Sequence, residues 1–268
     1  MTAVEVLAAG TELLSGEVRD SNAAFLAREA TLRGAVVTRA LLLPDDPAAL
    51  EAGFREALGR GPRALLACGG LGPTEDDRTL AALAAAAGVP LEEHPGARRM
   101  VAARYAALAA RGDVGDGALT PPRLKMALLP RGARPVENPV GAAPAVVLEV
   151  GPTTVIALPG VPAELEAIAG GPLRPLLDAL LPGGWAEDAL EVPGGDESLL
   201  APALAAVAAA HPGVRVKSRA RRFGKDVRIL VTLSARGASA AEAGERVARC
   251  REALARAVGP PGSPGAAR

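Results

Sequence analysis

Short apolar runs bounded by glycine, proline and aspartate recur along the first two thirds of the chain, and most are followed by a longer stretch with helical spacing. This rhythm of strand then helix predicts an α/β sheet covered by helices. Ala3–Ala9 is the first strand. A helix is expected over Ser21–Arg33, with Asp20, Ser21 and Asn22 as capping residues and Gly34 as its stop. Ala35–Leu43 reads as the second strand, Pro44-Asp45-Asp46-Pro47 turns the chain into a helix over Ala48–Gly59, and Arg63–Cys68 is a short buried strand. The run Gly69-Gly70-Leu71-Gly72-Pro73-Thr74 ends that strand, and Asp76 or Asp77 is expected to cap a helix reaching Ala87. Gly96–Arg111 is another expected helix and Gly112–Pro122 an exposed connection. Ala145–Val150 and Thr153–Leu158 pair as a hairpin around Gly151-Pro152, with a helix starting at Ala163.

Gly-Pro breaks at Gly170-Gly171-Pro172 and Pro182-Gly183-Gly184 place a boundary near 175–186. Residues 1–175 are expected to form one domain and 186–258 a smaller α+β domain. The second domain reads as strand Asp188–Pro193, helix Glu197–Ala210, strands Val214–Ser218 and Val227–Leu233, and helix Ala240–Ala257. The last stretch, 259–268, is expected to be a flexible tail. No internal repeat is present.

Composition narrows the function classes. None of the 268 residues lies in an apolar run near the ~18–20 needed to span a bilayer, so no membrane association is expected. The N-terminus lacks the basic region of a secretory signal, and a cytoplasmic location is expected. Cys68 and Cys250 are far apart and fit reduced, packed thiols. With 30 basic and 30 acidic side chains the net charge is zero, which disfavours a dedicated nucleic-acid binder. Lys125, Lys217 and Lys225 are the only lysines, so the arginine and alanine excess reads as compositional bias. The basic run from Arg215 to Arg228 has no GxxG loop beside it and one aromatic, Phe223, so it reads as a solvated hairpin or subunit contact. His94 and His211 each adjoin a proline without ligand spacing, which disfavours zinc.

The chemistry concentrates after the strands. Glycines at the end of a strand let backbone amides approach a phosphate, and the following helix adds unpaired N–H groups. Phosphate binding is therefore the reading of Gly69, Gly70 and Gly72 with Thr74 and Thr79; a tight βα turn is the alternative. The acids that follow, Asp76 and Asp77, would repel phosphate unless a hard cation bridges them. The loop Gly10-Thr11-Glu12-Leu13-Leu14-Ser15-Gly16 follows the first strand and Asp45 the second. Parallel neighbouring strands would bring these loops to one crevice, so Glu12, Asp45 and Asp77 are expected to converge there for metal binding or acid/base work. Asn138-Pro139-Val140-Gly141-Ala142-Ala143-Pro144 and Leu158-Pro159-Gly160-Val161-Pro162-Ala163-Glu164 flank the hairpin. Each is compatible with a simple turn.

These four segments, in this order, resemble the competence/damage-inducible CinA family and the wider molybdopterin-binding superfamily. The resemblance rests on Gly10 to Leu14 with Gly16 and Asn22, Gly69 to Thr79, Asn138-Pro139 with Gly141 and Pro144, and Leu158 to Pro162 with Glu164. It extends to a KH-type second domain through Asp196-Glu197-Ser198. It implies a three-layer αβα domain like that of MoaB and MogA, followed by a KH-type α+β domain. It also implies metal-dependent hydrolysis of ADP-ribose or a related dinucleotide to AMP and a sugar phosphate. A molybdopterin-binding or adenylylating protein of molybdenum cofactor synthesis is the alternative, and a nucleotide-binding module without catalysis a third. Because the chain ends at Arg268, the C-terminal nicotinamide-nucleotide deamidase domain of longer members is expected to be absent.

Under this resemblance Asp45, Asp77 and Glu12 are the catalytic acids. Either Asp45 or Asp77 is the base while the other ligates Mg2+, Mn2+ or Co2+, with Asp76 as a further metal ligand. Thr11, Asn22, Gly69, Gly70, Gly72, Thr74, Thr79, Asn138, Gly141, Pro159 and Gly160 are the expected contacts to a nucleotide or pterin. A homodimer is expected by analogy.

Overall fold

The computed structural model describes residues 2–193, 196–219 and 228–258. The expected tail, and Arg221, Arg222 and Lys225 of the basic run, lie outside the described residues. Two compact units form, Met1–Ala30 with Val36–Leu181, and Thr31–Ala35 with Pro182–Arg268.

The first unit runs β1 Ala3–Ala9, α1 Thr11–Ser15, α2 Asn22–Leu32, β2 Val36–Leu43, α3 Pro47–Arg60, β3 Ala64–Cys68, α4 Thr79–Ala87, β4 Leu91–Glu93, α5 Pro95–Ala110, α6 Pro121–Lys125, β5 Leu128–Pro130, β6 Arg134–Val136, β7 Ala145–Val150, β8 Thr153–Leu158, α7 Pro162–Gly170 and α8 Arg174–Leu180. A six-stranded sheet has the order β2-β1-β3-β8-β7-β6. The four strands β2, β1, β3 and β8 are mutually parallel, and β7 and β6 add antiparallel at one side. Leu43, Ala9, Cys68 and Leu158 therefore all end at the same edge.

Alternation along the strands divides the core. Leu7 and Ala9 of β1, Leu65 and Ala67 of β3 and Val155 and Ala157 of β8 pack with Leu50 and Phe54 of α3, Leu80 and Leu83 of α4 and Val101 of α5. The intervening residues Val4, Val6, Ala8, Leu66 and Ile156 are equally buried on the opposite face, as period-two side-chain direction requires. β3, in the middle, is buried at every position. β2 is an edge strand and leaves Leu41 and Leu42 exposed.

Capping explains several helix starts. Asp46 accepts from Ala49 N at 2.9 Å ahead of Pro47 in α3. His94 Nδ1 accepts from Gly96 N and Ala97 N at 3.1 and 3.3 Å, so this histidine is a helix cap. Asp20 accepts from Ala23 N at 2.9 Å and caps α2. Neither Asp76 nor Asp77 caps α4, a correction to the sequence expectation: the residue preceding α4 is Arg78, without a side-chain capping bond. Both aspartates instead bond to Thr74.

Where the Gly112–Pro122 stretch predicted only a connection, α6 begins at Pro121, and α8 occupies 174–180 after the expected break. The second unit runs β9 Gly184–Pro193, α9 Glu197–Ala210, β10 Val214–Arg219, β11 Arg228–Gly237 and α10 Ala240–Val258. Its antiparallel sheet has the order β10-β11-β9. Ile229, Val231 and Leu233 of β11 pack with Val247, Cys250 and Leu254 of α10. Among the described residues no helix is long and apolar enough to cross a membrane.

Candidate functional site

The parallel strands deliver their loops to one edge and stay paired until the loops begin. Gly10 N donates to Leu43 O at 3.0 Å, and Gly69 N to Leu158 O at 3.1 Å. β1 lies between β2 and β3, so the chain departs from it in opposite directions, and the crevice opens at this switch point.

A cavity of about 240 Å³ fills the crevice. Glu12, Asp20, Asp45, Asp76 and Asp77 line it together with Asn22, Gly69, Gly70 and Gly160, and Arg19 is the basic residue on its wall. The expected convergence of Glu12, Asp45 and Asp77 thus occurs around one space. A second cavity of about 300 Å³ adjoins it and shares Gly70, Asp77 and Gly160. Its lining is more apolar, with Leu71, Pro73, Tyr105, Met126, Pro159 and Val161.

Two threonine–aspartate clamps set the acids. Thr11 N and Thr11 Oγ1 both donate to Asp45 Oδ2, at 2.9 and 3.1 Å. Thr74 N and Thr74 Oγ1 lie at 2.8 and 2.6 Å from Asp77 Oδ2. Each clamp holds one carboxylate oxygen, and among the described residues Oδ1 of Asp45 and of Asp77 accepts no protein hydrogen bond. The first clamp also ties the loop after β1 to the loop after β2. Asp76 Oδ1 bonds to Thr74 Oγ1, and that bond holds its carboxyl below the usual range, helped by a backbone bond and by Lys125 and Arg78. Lys125 Nζ donates to Thr74 O.

The glycines after β3 have structural reasons as well. Gly69 and Gly70 both have positive φ, +94° and +66°, a conformation that favours glycine. A Cβ on Gly69 would strike the Ala9 carbonyl oxygen, and one on Gly70 the Thr79 hydroxyl. Thr79 is wholly buried and donates from Oγ1 to Gly69 O at 2.7 Å. It pins the turn and does not reach the cavity as an expected ligand contact would. Asn22 Nδ2 donates to Gly160 O at 2.7 Å, joining α2 to the loop after β8.

Asn138, expected as a ligand contact, is 7% exposed and fully engaged within the protein. Its Nδ2 donates to Ala143 O and Glu164 Oε2 at 2.9 and 2.6 Å, and its Oδ1 accepts from Val140 N and Gly141 N at 3.0 and 2.7 Å. That uses the whole capacity of a side-chain amide. Gly141 in turn leaves no room for a Cβ against the Glu164 carboxylate. These residues hold the 138–144 loop on the start of α7.

Cys68 lies at the cavity floor, 1% exposed. Burial, followed by the charge of Asp20, pushes its thiol up to about 12, so it is no nucleophile at neutral pH. Tyr105, Met126 and Arg19 escaped the sequence reading. Tyr105 and Met126 carry no local motif and reach the crevice only through tertiary packing. Arg19 sits directly after the first polar loop, a position that was available as a signal. No group of three His, Cys, Asp or Glu side chains among the described residues could hold a metal by itself.

A three-layer αβα domain with a polar crevice at the ends of its parallel strands belongs to the class that binds small ligands at a topological switch point. The chain belongs to the family described as "Probable molybdopterin binding domain", whose model matches residues 5–179. A protein of Aeropyrum pernix is 40% identical over 256 residues, covering 94% of this chain and 92% of its own. One from Pyrobaculum aerophilum is 41% identical over 219 residues, 81% of this chain and 79% of its own. Among solved structures, the protein CinA of Thermoplasma acidophilum is 37% identical with a TM-score of 0.59, covering 66% of this chain and 98% of its own.

Proposed function

We propose that the first unit binds a phosphate-bearing pterin or nucleotide across the two joined cavities, its phosphate in the polar one and its ring in the more apolar one. The carrying observation is that Gly70, Asp77 and Gly160 belong to both cavities, so one ligand can touch both chemistries. The family description supports a pterin as the ring system.

A divalent ion fits this reading in a particular way. The acids do not form a ready-made cage, but Mg2+ commonly uses one or two carboxylates together with phosphate oxygens. Asp45 and Asp77, each with one oxygen clamped, would hold an ion that arrives with the ligand. When bound it would neutralise phosphate charge. The clamps on Thr11 and Thr74 orient the two carboxylates, and the Asn22 bond to Gly160 O fixes the wall beside them.

Five acids around a polar cavity also favour a second reading, metal-dependent cleavage of an ADP-ribose-like dinucleotide, with Asp45 or Asp77 positioning the attacking water. Titration with molybdopterin, AMP, ADP-ribose and adenosine in Mg2+ tests the binding proposal. Saturable binding of a phosphorylated member and much weaker binding of adenosine are expected. Equal binding of adenosine, or no binding of any member, overturns it. Release of AMP from ADP-ribose with Mg2+, Mn2+ or Co2+, lost in Asp77→Asn, is the result expected of the hydrolytic reading; its absence with all three metals rejects that reading alone.

A further inference from the structure

Outside the crevice, a groove of about 440 Å³ lies between α5 and the 137–144 loop. Met100, Ala103 and Ala107 recur at helical spacing along its lining, with Arg99 and Arg104 beside them and Pro139 on the loop. Glu137 is the acid on the lining. Among the described residues neither arginine has an ion-pair partner, although arginines elsewhere on the unit are paired, as Arg98 is with Glu93 and Arg131 with Glu92.

Arg104 carries a second signal. Its Nη1 makes a single long bond, 3.5 Å, to Pro139 O, while its Nε is buried and donates to nothing. A buried unsatisfied donor is costly and calls for a partner. The Nε edge of a guanidinium is a fork that matches two oxygens of a phosphate or carboxylate. Among the described residues the long Pro139 contact is the one hydrogen bond this guanidinium makes, so reorienting it toward a ligand breaks no other hydrogen bond. This unpaired geometry, and not the number of arginines, which composition alone inflates, sets Arg104 apart.

We infer that this groove is a second binding site, for a small molecule bearing a phosphate or similar oxyanion on a compact apolar body. Arg104 and Arg99 take the anion, and the Met100–Ala103–Ala107 stripe takes the body. The groove shares Ala142 with the apolar cavity, but Arg99 and Arg104 line neither cavity of the crevice, so the inference stands whether or not the proposed function does.

Nuclear magnetic resonance of the 15N-labelled full chain, titrated with phenyl phosphate, inorganic phosphate and phenol, tests it. Saturable shifts at 99–104 and 137–141 are expected with phenyl phosphate, weaker ones with inorganic phosphate and none with phenol. The double variant Arg99→Met/Arg104→Met should raise the half-saturation concentration about ten- to a hundredfold, while Asp77→Ala, which alters the crevice, should leave the groove shifts in place. Unchanged affinity in the double variant, shifts confined to 69–79, or equal response to phenol overturns the inference. If the double variant loses its dispersed spectrum, Arg104→Lys decides: it keeps the charge and loses the fork, and an affinity equal to wild type overturns the inference.

Discussion

Replacing Asn138 by alanine removes a side chain that ties the 138–144 loop to both its own backbone and α7. Four hydrogen bonds are lost, one of them to the Glu164 carboxylate at 2.6 Å. A bond to a charged group contributes about 1.5–3 kcal/mol and a neutral one about 1. Ala143 is buried, so its carbonyl loses its partner without water at hand, whereas Val140 is exposed and its amide can be rehydrated. The expected cost is about 3 kcal/mol, which for a unit of this size lowers the melting temperature by about 6–12 °C. Differential scanning calorimetry of the full chain reads the shift. A loss below about 1 kcal/mol would mean instead that solvent replaces the amide freely and that these bonds do not hold the loop. Asn138→Asp sharpens the test. It sets a second carboxylate against Glu164, and like charges this close repel. The loss should be deepest near neutral pH and shrink as pH falls through the carboxylate range, where the pair shares a proton. A pH-independent loss would contradict the assigned contact.

Three further outcomes are expected. Thr79→Val removes the wholly buried bond to Gly69 O at nearly constant volume, and should cost about 1–3 kcal/mol in urea unfolding while weakening ligand binding through the glycine turn; full binding with full stability would show that the turn holds itself. Glu5, 4% exposed, is gripped by Arg60 through bonds of 2.8 and 2.7 Å. Arg60→Met should cost about 3 kcal/mol, the low end for a buried pair because the Arg60 side chain is 32% exposed, whereas adding Glu5→Leu should restore much of it; a double variant as unstable as the single one would contradict this. Cys68, its thiol raised to about 12 and 1% exposed, and Cys250, raised by burial, should resist a thiol reagent at pH 8 until the protein unfolds. For Cys68 the folded value lies above the ordinary thiol value of 9.0, so its contribution to stability is complete below pH 9 and is lost as pH rises toward 12; rapid native labelling, or stability that increases over that range, would contradict the burial.

The strands that build the crevice were legible because central parallel strands are nearly continuous apolar runs, and β3 is buried at all five positions. The meeting of Glu12, Asp45 and Asp77 was legible for a topological reason: residues just after parallel strands share an edge. The roles within that edge were not. Asp77 looks like a helix cap in one dimension, but Thr74 lies three residues earlier and captures it in a turn. The Thr11–Asp45 clamp spans 34 positions, a separation no local pattern reports. Asn138 in a loop and Thr79 at the start of α4 are polar residues beside the site, which makes them resemble ligand contacts; only burial and bond partners reveal them as supports. Tyr105 and Met126 belong to the crevice through the fold of α5 and the segment after α6, and alanine-rich flanks blurred the buried face of α5.

The proposed function requires that the polar and apolar cavities form one ligand site. Its most direct test is a titration of the 15N-labelled chain with molybdopterin, or with AMP or ADP-ribose, in Mg2+, followed by nuclear magnetic resonance. Amides at 10–22 and 69–77 on the polar side and at 159–164 on the apolar side are expected to shift together and saturate at one concentration. Shifts in only one of the two sets, or two separate saturation points, would contradict it.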